Sequence, residues 1–291
     1  MKYNYSVFIT FCLLLAIAFN SCEIYNPSEP IPAYIHIDKI SLNTSFSTEG
    51  TNSNKITDAW VYIDEQLIGC FELPATFPVL YEGSHQIKIR PGIKVNGIAA
   101  TRSPYPFYNS YDTIINLQKG VKLNLKPIVR YRTNMTFNFM EDFENTGNII
   151  SPSPKTGVDD TLKVINTPNP NVFEGNGSGI VYLDNQHTFF EGVSSISYGL
   201  PKNGADVFLE FNYKCNHEFQ VGVYAHSNSG SSQELALTLN PSANWNKTYV
   251  YLTGVVSSSI NATDFSIFFG MVNNTSSDSL ALLLDNIKLV Y

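Results

Sequence analysis

Apolar and polar residues alternate with a period of two along most of this chain. Between residues 84 and 90, His85, Ile87 and Ile89 take one face, and Lys88 and Arg90 take the other. Val121, Leu123 and Leu125 alternate in the same way with Lys122, Asn124 and Lys126. Later, Val207, Leu209, Phe211 and Tyr213 oppose Phe208, Glu210, Asn212 and Lys214, and Phe219, Val221, Val223 and Ala225 repeat the pattern. Further strands are predicted at 34–42, 60–64, 112–117, 249–255, 265–271 and 280–290, with 112–117 and 121–126 forming a hairpin around Lys119 and Gly120. Runs rich in Asn, Ser and Gly separate them, and no helical period appears. The pattern predicts an all-β protein: a small antiparallel β-sandwich over 33–126, a linker over 127–134, and a two-sheet β jelly roll over 135–291.

One stretch breaks the alternation. Lys2 precedes an apolar run over 7–19, and the segment LLLAIAFNSC ends at Cys22. The run is too short to span a bilayer comfortably and fits a secretory signal. Its end resembles the lipobox of bacterial lipoproteins, with Ser21 before Cys22. That resemblance implies removal of 1–21, acylation of Cys22, and a lipid-anchored life at the outer membrane, on its periplasmic or cell-surface face. Residues 22–32 carry Pro27, Pro30 and Pro32 and read as an extended tether. Of the four cysteines, Cys12 leaves with the signal and Cys22 takes the lipid, so Cys70 and Cys215 remain. Two free thiols are expected, with a disulfide as the alternative, and no spacing suits zinc.

Composition narrows the function. Charged residues are 15% and aromatics 13% of the chain. The formal net charge of −7 becomes −8 once Lys2 is removed (−7 − 1). Without a Lys/Arg cluster, nucleic acid is not an expected partner. There is no HExxH, GxSxG or phosphate-binding loop, and the histidines at 36, 85, 187, 217 and 226 are scattered. Glu191, Glu210, Glu218 and Glu234 are carboxylates that a glycosidase would need in pairs, but no local context pairs them. An enzyme is not expected.

Residues 59–93 resemble the PEGA-type or carboxypeptidase-regulatory-like β-sandwich modules through Val61, Ile63, Asp64, Gly69, Pro74, Gly83, His85 and Ile87, with Glu65 where a Gly is usual. The resemblance implies a spacer or surface-binding unit, with His85 structural. The second unit resembles carbohydrate-binding-module or galactose-binding-like jelly rolls through FNFMEDFEN (137–145), FEGNGSGIVYLDN (173–185), NWNKTYVYLTG (244–254) and LLLDNIKLVY (282–291). That implies non-catalytic glycan binding, with Trp245 in the core. Strand parity places Glu141 and Asp285 among apolar neighbours, where each needs a partner. A structural Ca²⁺ would serve, and the resemblance supplies Glu141, Asp142, Glu144 and Asp285 as ligands, with Asn176 or Gly177 offering loop oxygens. The alternative is that these acids cap loop N–H groups or pair with lysine.

Aromatics that could stack on sugar fall in two places. The loop over 101–111 holds Tyr105, Phe107, Tyr108 and Tyr111, and the second unit offers His187, Phe189, Phe190, Tyr224 and His226. Tyr105, Tyr108, Phe189 and Tyr224 are the ligand-binding candidates, with packing as the alternative at each. The expected function is glycan binding at the cell envelope by a lipid-anchored protein. The rival is a structural or assembly lipoprotein that binds a protein partner there.

Overall fold

The computed structural model describes residues 29–145, 147, 149–156, 162–275 and 279–291, and Ile9 by itself. The signal run and Cys22 lie outside the described residues.

The first domain is built from β1 (Ala33–Ile37), β2 (Ser41–Leu42), β3 (Asp58–Ile63), β4 (Gln66–Glu72), β5 (Ala75–Val79), β6 (Gly83–Lys94), β7 (Arg102–Pro104), β8 (Tyr111–Leu117), β9 (Lys122–Leu125) and β10 (Ile128–Val129). A one-turn helix, α1 (Phe46–Glu49), follows β2. One sheet runs β4-β3-β6-β7, with β8 also on β6; the facing layer holds β5-β1-β9 and the pair β10-β2. Val61, Ile63, Ile87 and Ile89 from the first sheet meet Ile35, Ile37, Phe77 and Val79 from the second, all nearly inaccessible.

The β3–β4 turn shows how local chemistry sets the frame. Asp64 and Glu65 both have positive φ, 49° and 64°, as a two-residue hairpin turn demands. Glu65 therefore takes a backbone conformation that Gly adopts more cheaply. Asp64 offsets this with its carboxylate, which accepts from Gln86 N (3.0 Å) and from His85 Nδ1 (2.6 Å). His85 Nε2 lies 3.0 Å from the Glu82 carbonyl. Both partners can only accept, so both ring nitrogens donate and the imidazolium form is favoured; the Asp64 bond is the main cause of its raised pKa. His85 is the structural residue expected.

Three expectations change here. Residues 112–117 and 121–126 are not paired with each other. β8 pairs with β6, whereas β9 crosses to the other layer and runs parallel to β1. The sandwich is thus mixed, because β2 and β10 are parallel as well. Segment 127–134 is not a free linker: β10 pairs with β2, and Tyr131 bridges to Tyr108.

The jelly roll comprises β11 (Phe139–Glu141), β12 (Ile150–Pro152), β13 (Lys163–Asn166), β14 (Gly177–Leu183), β15 (Phe189–Ser194), β16 (Phe208–Cys215), β17 (Phe219–Ser227), β18 (Gly230–Leu239), β19 (Ser242–Tyr251), β20 (Asp264–Val272) and β21 (Leu280–Val290), with a short helix α2 (Thr253–Ser258). The first sheet runs β13-β14-β21-β16-β19, with β11 on β21, and the second runs β12-β15-β20-β17-β18. Leu209 and Phe211 from the first sheet pack against Val221, Val223, Ile267 and Phe269 from the second. Phe211 is fully buried, so Phe211→Ala would cost about 3–5 kcal/mol.

The last strand does not keep one parity. Asn286 has φ +49°, and the pairing with β16 slips between Glu210 and Asn212. Leu282 and Leu284 face the core before this bulge, and Ile287 and Leu289 after it. Asp285 therefore sits on the outer face, away from Ile287. Trp245 is corrected likewise. It shares parity with Lys247 and Tyr249, so it covers the outer face, 5.1 Å from the Phe173 ring, rather than entering the core between the sheets.

The first domain packs on that outer face. Phe208, Tyr249 and Val290 belong to its core cluster rather than to the jelly roll's own. Glu210 is completely buried, and its carboxylate accepts from Tyr105 Oη (2.6 Å) and Tyr131 Oη (2.9 Å), with Lys247 Nζ at 3.7 Å. Lys55 N donates to Tyr249 Oη (3.0 Å) and Ser53 Oγ to Asn212 Oδ1 (2.9 Å). Burial, then the Glu210 charge, holds the Tyr105 and Tyr131 hydroxyls far above their ordinary range, so they stay protonated donors. Burial also lowers Lys288, to about 8. A carboxylate here is tolerable only with this set of donors, and losing one partner costs far more than the pair contributes.

Candidate functional site

The first domain covers the first sheet's outer face around Glu210 and Tyr249, although Tyr182 on that face stays exposed, and the outer face of the second sheet carries the features described next. Gly222, Tyr224 and His226 on β17 alternate with the core residues Val221, Val223 and Ala225, and so point outward. Gly222 is required where it stands. A Cβ there would lie 2.6 Å from the Phe268 ring and 2.2 Å from the Glu234 carbonyl oxygen. Phe268 lies across the glycine, and the Tyr224 ring rests against it with centroids 5.6 Å apart.

Tyr224 ends in a polar network. Its hydroxyl donates to Glu191 Oε1 (2.7 Å), and Gln233 Nε2 donates to Glu191 Oε2 (2.6 Å). Lys155 Nζ donates to Tyr224 Oη (2.8 Å) and Gln233 Oε1 (3.0 Å), and stands 5.3 Å from the Tyr224 ring centre. Glu191 is 3% exposed, whereas the Lys155 side chain is 55% exposed. The carboxylate is thus sealed behind the tyrosine, and the ammonium faces water. The hydrogen bond to Tyr224 is the main cause of the raised Lys155 pKa, and burial is the main cause of the raised Tyr224 pKa. Segment 153–156 is stitched over β15: Ser153 N and Thr156 Oγ1 both donate to the Glu191 carbonyl (2.8 Å each), and Glu191 N donates to Thr156 Oγ1 (2.8 Å).

A groove of about 510 Å³ opens beside this network. Pro152, Pro154, Lys155, Tyr224, His226 and Ser231 are among the residues that line it. His226 holds Ser231 Oγ (2.7 Å) through Nδ1 and Ser266 Oγ (2.9 Å) through Nε2. The groove offers apolar ring faces, hydroxyls, an imidazole and one ammonium, within the size range of small-molecule sites. A larger hollow of about 550 Å³ lies between 227–234 and 258–262, but serines dominate its lining and it holds no aromatic floor.

Of the four ligand candidates, Tyr224 is in the groove. Phe189 starts β15 opposite Val272, outside the groove lining. Tyr105 and Tyr108 are each 1% exposed and lie between the domains, where they present no face to a ligand. His226 joins the groove, Phe190 is core, and His187 Nδ1 is held by Asp184 (3.0 Å). Sequence reasoning missed Lys155 and Gln233. The proline-rich SPSPK stretch had no alternation to place it, and Gln233 lies on an edge strand of polar residues. The buried acids Glu191 and Glu210 lie on opposite outer faces of the jelly roll and do not meet in one cleft.

The acids expected around a cation take protein donors. Glu141 accepts from Phe143 N (2.8 Å) and Ile149 N (2.7 Å), Asp142 from Glu144 N (3.2 Å), and Glu144 from Asn176 N (2.6 Å) and Gly177 N (3.0 Å). Asp285 accepts from Ser178 Oγ (2.5 Å) and Asn286 N (2.7 Å). Among the described residues, no three His, Cys, Asp or Glu side chains gather in a metal-holding group. Cys70 and Cys215 are both free.

Fold and groove together define an all-β chain of two joined sandwiches with a polar-aromatic groove on the second jelly-roll sheet. No family model matches the sequence, and no curated protein matches it. Solved structures do. One is the N-terminal portion of a Clostridium thermocellum endo-1,4-β-D-xylanase, its CBM22-1 and GH10 modules complexed with xylohexaose: 13% identity, 53% of this chain, 28% of that chain, TM-score 0.38. Another is a family 11 carbohydrate-binding module from the same organism in complex with a β-1,3-1,4-mixed-linked tetrasaccharide: 15% identity, 52% of this chain, 93% of that one, TM-score 0.36. A third is a CBM22-2 xylan-binding domain from Paenibacillus barcinonensis: 14% identity, 52% of this chain, 97% of that one, TM-score 0.38.

Proposed function

We propose that this chain is a non-catalytic, lipid-anchored envelope protein that binds polysaccharide in the groove on the second jelly-roll sheet. The observation that supports this reading is the Glu191–Tyr224–Gln233–Lys155 network. Burying a carboxylate on an outward face stabilises a fold little. It does fix the tyrosine ring and orient polar groups before a ligand arrives, which lowers the cost of binding. Sugars present both C–H faces for Tyr224 and the prolines, and hydroxyls for His226, Ser231 and Lys155. Acylation at Cys22 would hold the domains at the outer membrane; Cys22→Ala should release the protein from membranes, and continued sedimentation would refute it.

Calcium belongs to the same reading as a stabilising ion outside the groove. Burial, with the neighbouring Glu174 charge adding to it, pushes the Asp285 carboxyl up to about 7, and a divalent cation would relieve both. Several degrees of thermal stabilisation by Ca²⁺ would support the ion, and identical melting in Ca²⁺ and chelator would remove it.

A panel of soluble polysaccharides presented to the full chain tests the groove. Retention by at least one is expected. No retention, together with a co-purified envelope protein, would favour the assembly role instead.

A further inference from the structure

The end of the first domain nearest the N-terminus carries three exposed apolar residues that belong to neither core. Strand register brings them there. β1 is flanked by β5, with Ala33 opposite Val79, and by β9, with Tyr34 opposite Lys122. Leu80, which follows Val79, and Val121, which precedes Lys122, therefore come to the same end as Ile31. Gly120 N donates to the Pro32 carbonyl (2.9 Å) and Tyr34 N to the Val121 carbonyl (2.9 Å), which fixes this arrangement. Ile31 is 62% exposed, Leu80 67% and Val121 49%. Tyr34, also exposed, is the neighbour of Lys122 across the strands. Lys119 closes the margin through an ion pair with Glu82 (2.7 Å), and Lys122 is exposed.

Elsewhere on the surface, large apolar side chains such as Leu67, Ile114 and Ile260 are not gathered by strand register in this way, and isolated examples are ordinary. Exposed apolar residues brought by register to one end of a sheet, beside a tyrosine and lysines, suit the boundary between acyl chains and phosphate headgroups, where aromatic rings sit and long cationic side chains reach the phosphates. Its position supplies the second argument. Eight residues lie between Cys22 and Ile31, a contour of at most about 30 Å. An anchored Cys22 would keep this end of the molecule close to the bilayer.

We propose that Ile31, Leu80 and Val121, with Tyr34, Lys119 and Lys122, form a membrane-resting foot that seats the first domain on the lipid surface holding the anchor. The foot rests on the lipid-anchor reading above. It would also fix the orientation of the jelly roll, because the two domains share a core.

The test uses the full chain in isolated open membrane sheets, with Leu80→Cys, Val121→Cys, Leu67→Cys or Ile260→Cys each reacted with a water-soluble maleimide. Rates are corrected for the wild-type thiols. The foot requires positions 80 and 121 to react at least five-fold more slowly than 67 and 260. Equal rates at all four, in a chain that sediments with membranes, overturn the foot while the anchor stands. A wild-type chain that stays in the soluble fraction overturns the anchor and the foot with it. Protection at 80 and 121 that disappears when the chain is diluted within the membrane assigns this end to a second copy and also overturns the proposal.

Discussion

The two outer faces of the jelly roll use the same device to opposite ends. Each buries a glutamate and satisfies it with tyrosine. On the first sheet, Glu210 accepts from Tyr105 and Tyr131, and both tyrosines come from the other domain. On the second sheet, Glu191 accepts from Tyr224, which comes from the same sheet. The partner's origin decides the outcome. When the donors arrive from another domain, the face closes and becomes a joint. When they come from the sheet itself, the face stays open and the tyrosine ring is left half-presented to water. The cation differs in the same sense: Lys247 is sealed beside Glu210, while the Lys155 side chain reaches solvent.

The strongest way to break the comparison is Glu210→Ala. It would leave the Lys247 ammonium and the Tyr105 hydroxyl buried without a partner, a loss of about 3–5 kcal/mol. Urea unfolding measures it. A loss under about 1 kcal/mol would mean that the joint does not depend on this carboxylate. The closed face also carries Asp285, whose folded pKa of about 7 lies above its ordinary value of 3.8, with burial as the main cause. The folded state holds this proton more tightly than the unfolded one. Its contribution is therefore fully present below about pH 4 and is lost as pH rises through about 7, by on the order of 2–4 kcal/mol. The stability of Asp285→Asn should lack this fall, and parallel pH curves for the two proteins would contradict the buried acid.

On the open face, Gly222→Ala should cost about 1–3 kcal/mol, because the new Cβ meets a backbone carbonyl and the Phe268 ring that supports Tyr224. Thermal melting reads it, and an unchanged midpoint would show that the sheet can shift. The smallest stability effect is expected from Tyr224→Phe, about 0.5–1.5 kcal/mol for one hydroxyl. Its effect on ligand binding should be the larger one. A stability loss equal to that of Glu210→Ala would make the open face a second structural joint.

Period-two alternation was enough to read the all-β class, most strands of the jelly roll and the neighbouring first and last strands. It was not enough for sidedness. Asn286 inserts a bulge in β21 that turns Asp285 outward, and a single left-handed residue leaves no mark in hydrophobic spacing. Alternation also says which residues are buried but not by what. Tyr105 and Tyr108 looked like loop aromatics available to sugar, but they are buried because another domain sits on them, a contact of more than 100 residues' separation for Tyr105 and Glu210. Tyr224 was legible as an outward tyrosine beside a glycine. Lys155 was not, because the segment that carries it has no periodicity, and Ser153 and Thr156 fix it against β15 through backbone and hydroxyl bonds that leave no mark in hydrophobic spacing.

The most direct measurement compares the faces as binders. Full-length chain, Tyr224→Ala and Tyr105→Phe are run side by side through gels containing a polysaccharide that retards the wild type. The expected result is that Tyr224→Ala runs as in a gel without polysaccharide, while Tyr105→Phe is retarded as fully as the wild type. Undiminished retardation of Tyr224→Ala, or failure of every polysaccharide to retard the wild type, would contradict a glycan site in this groove.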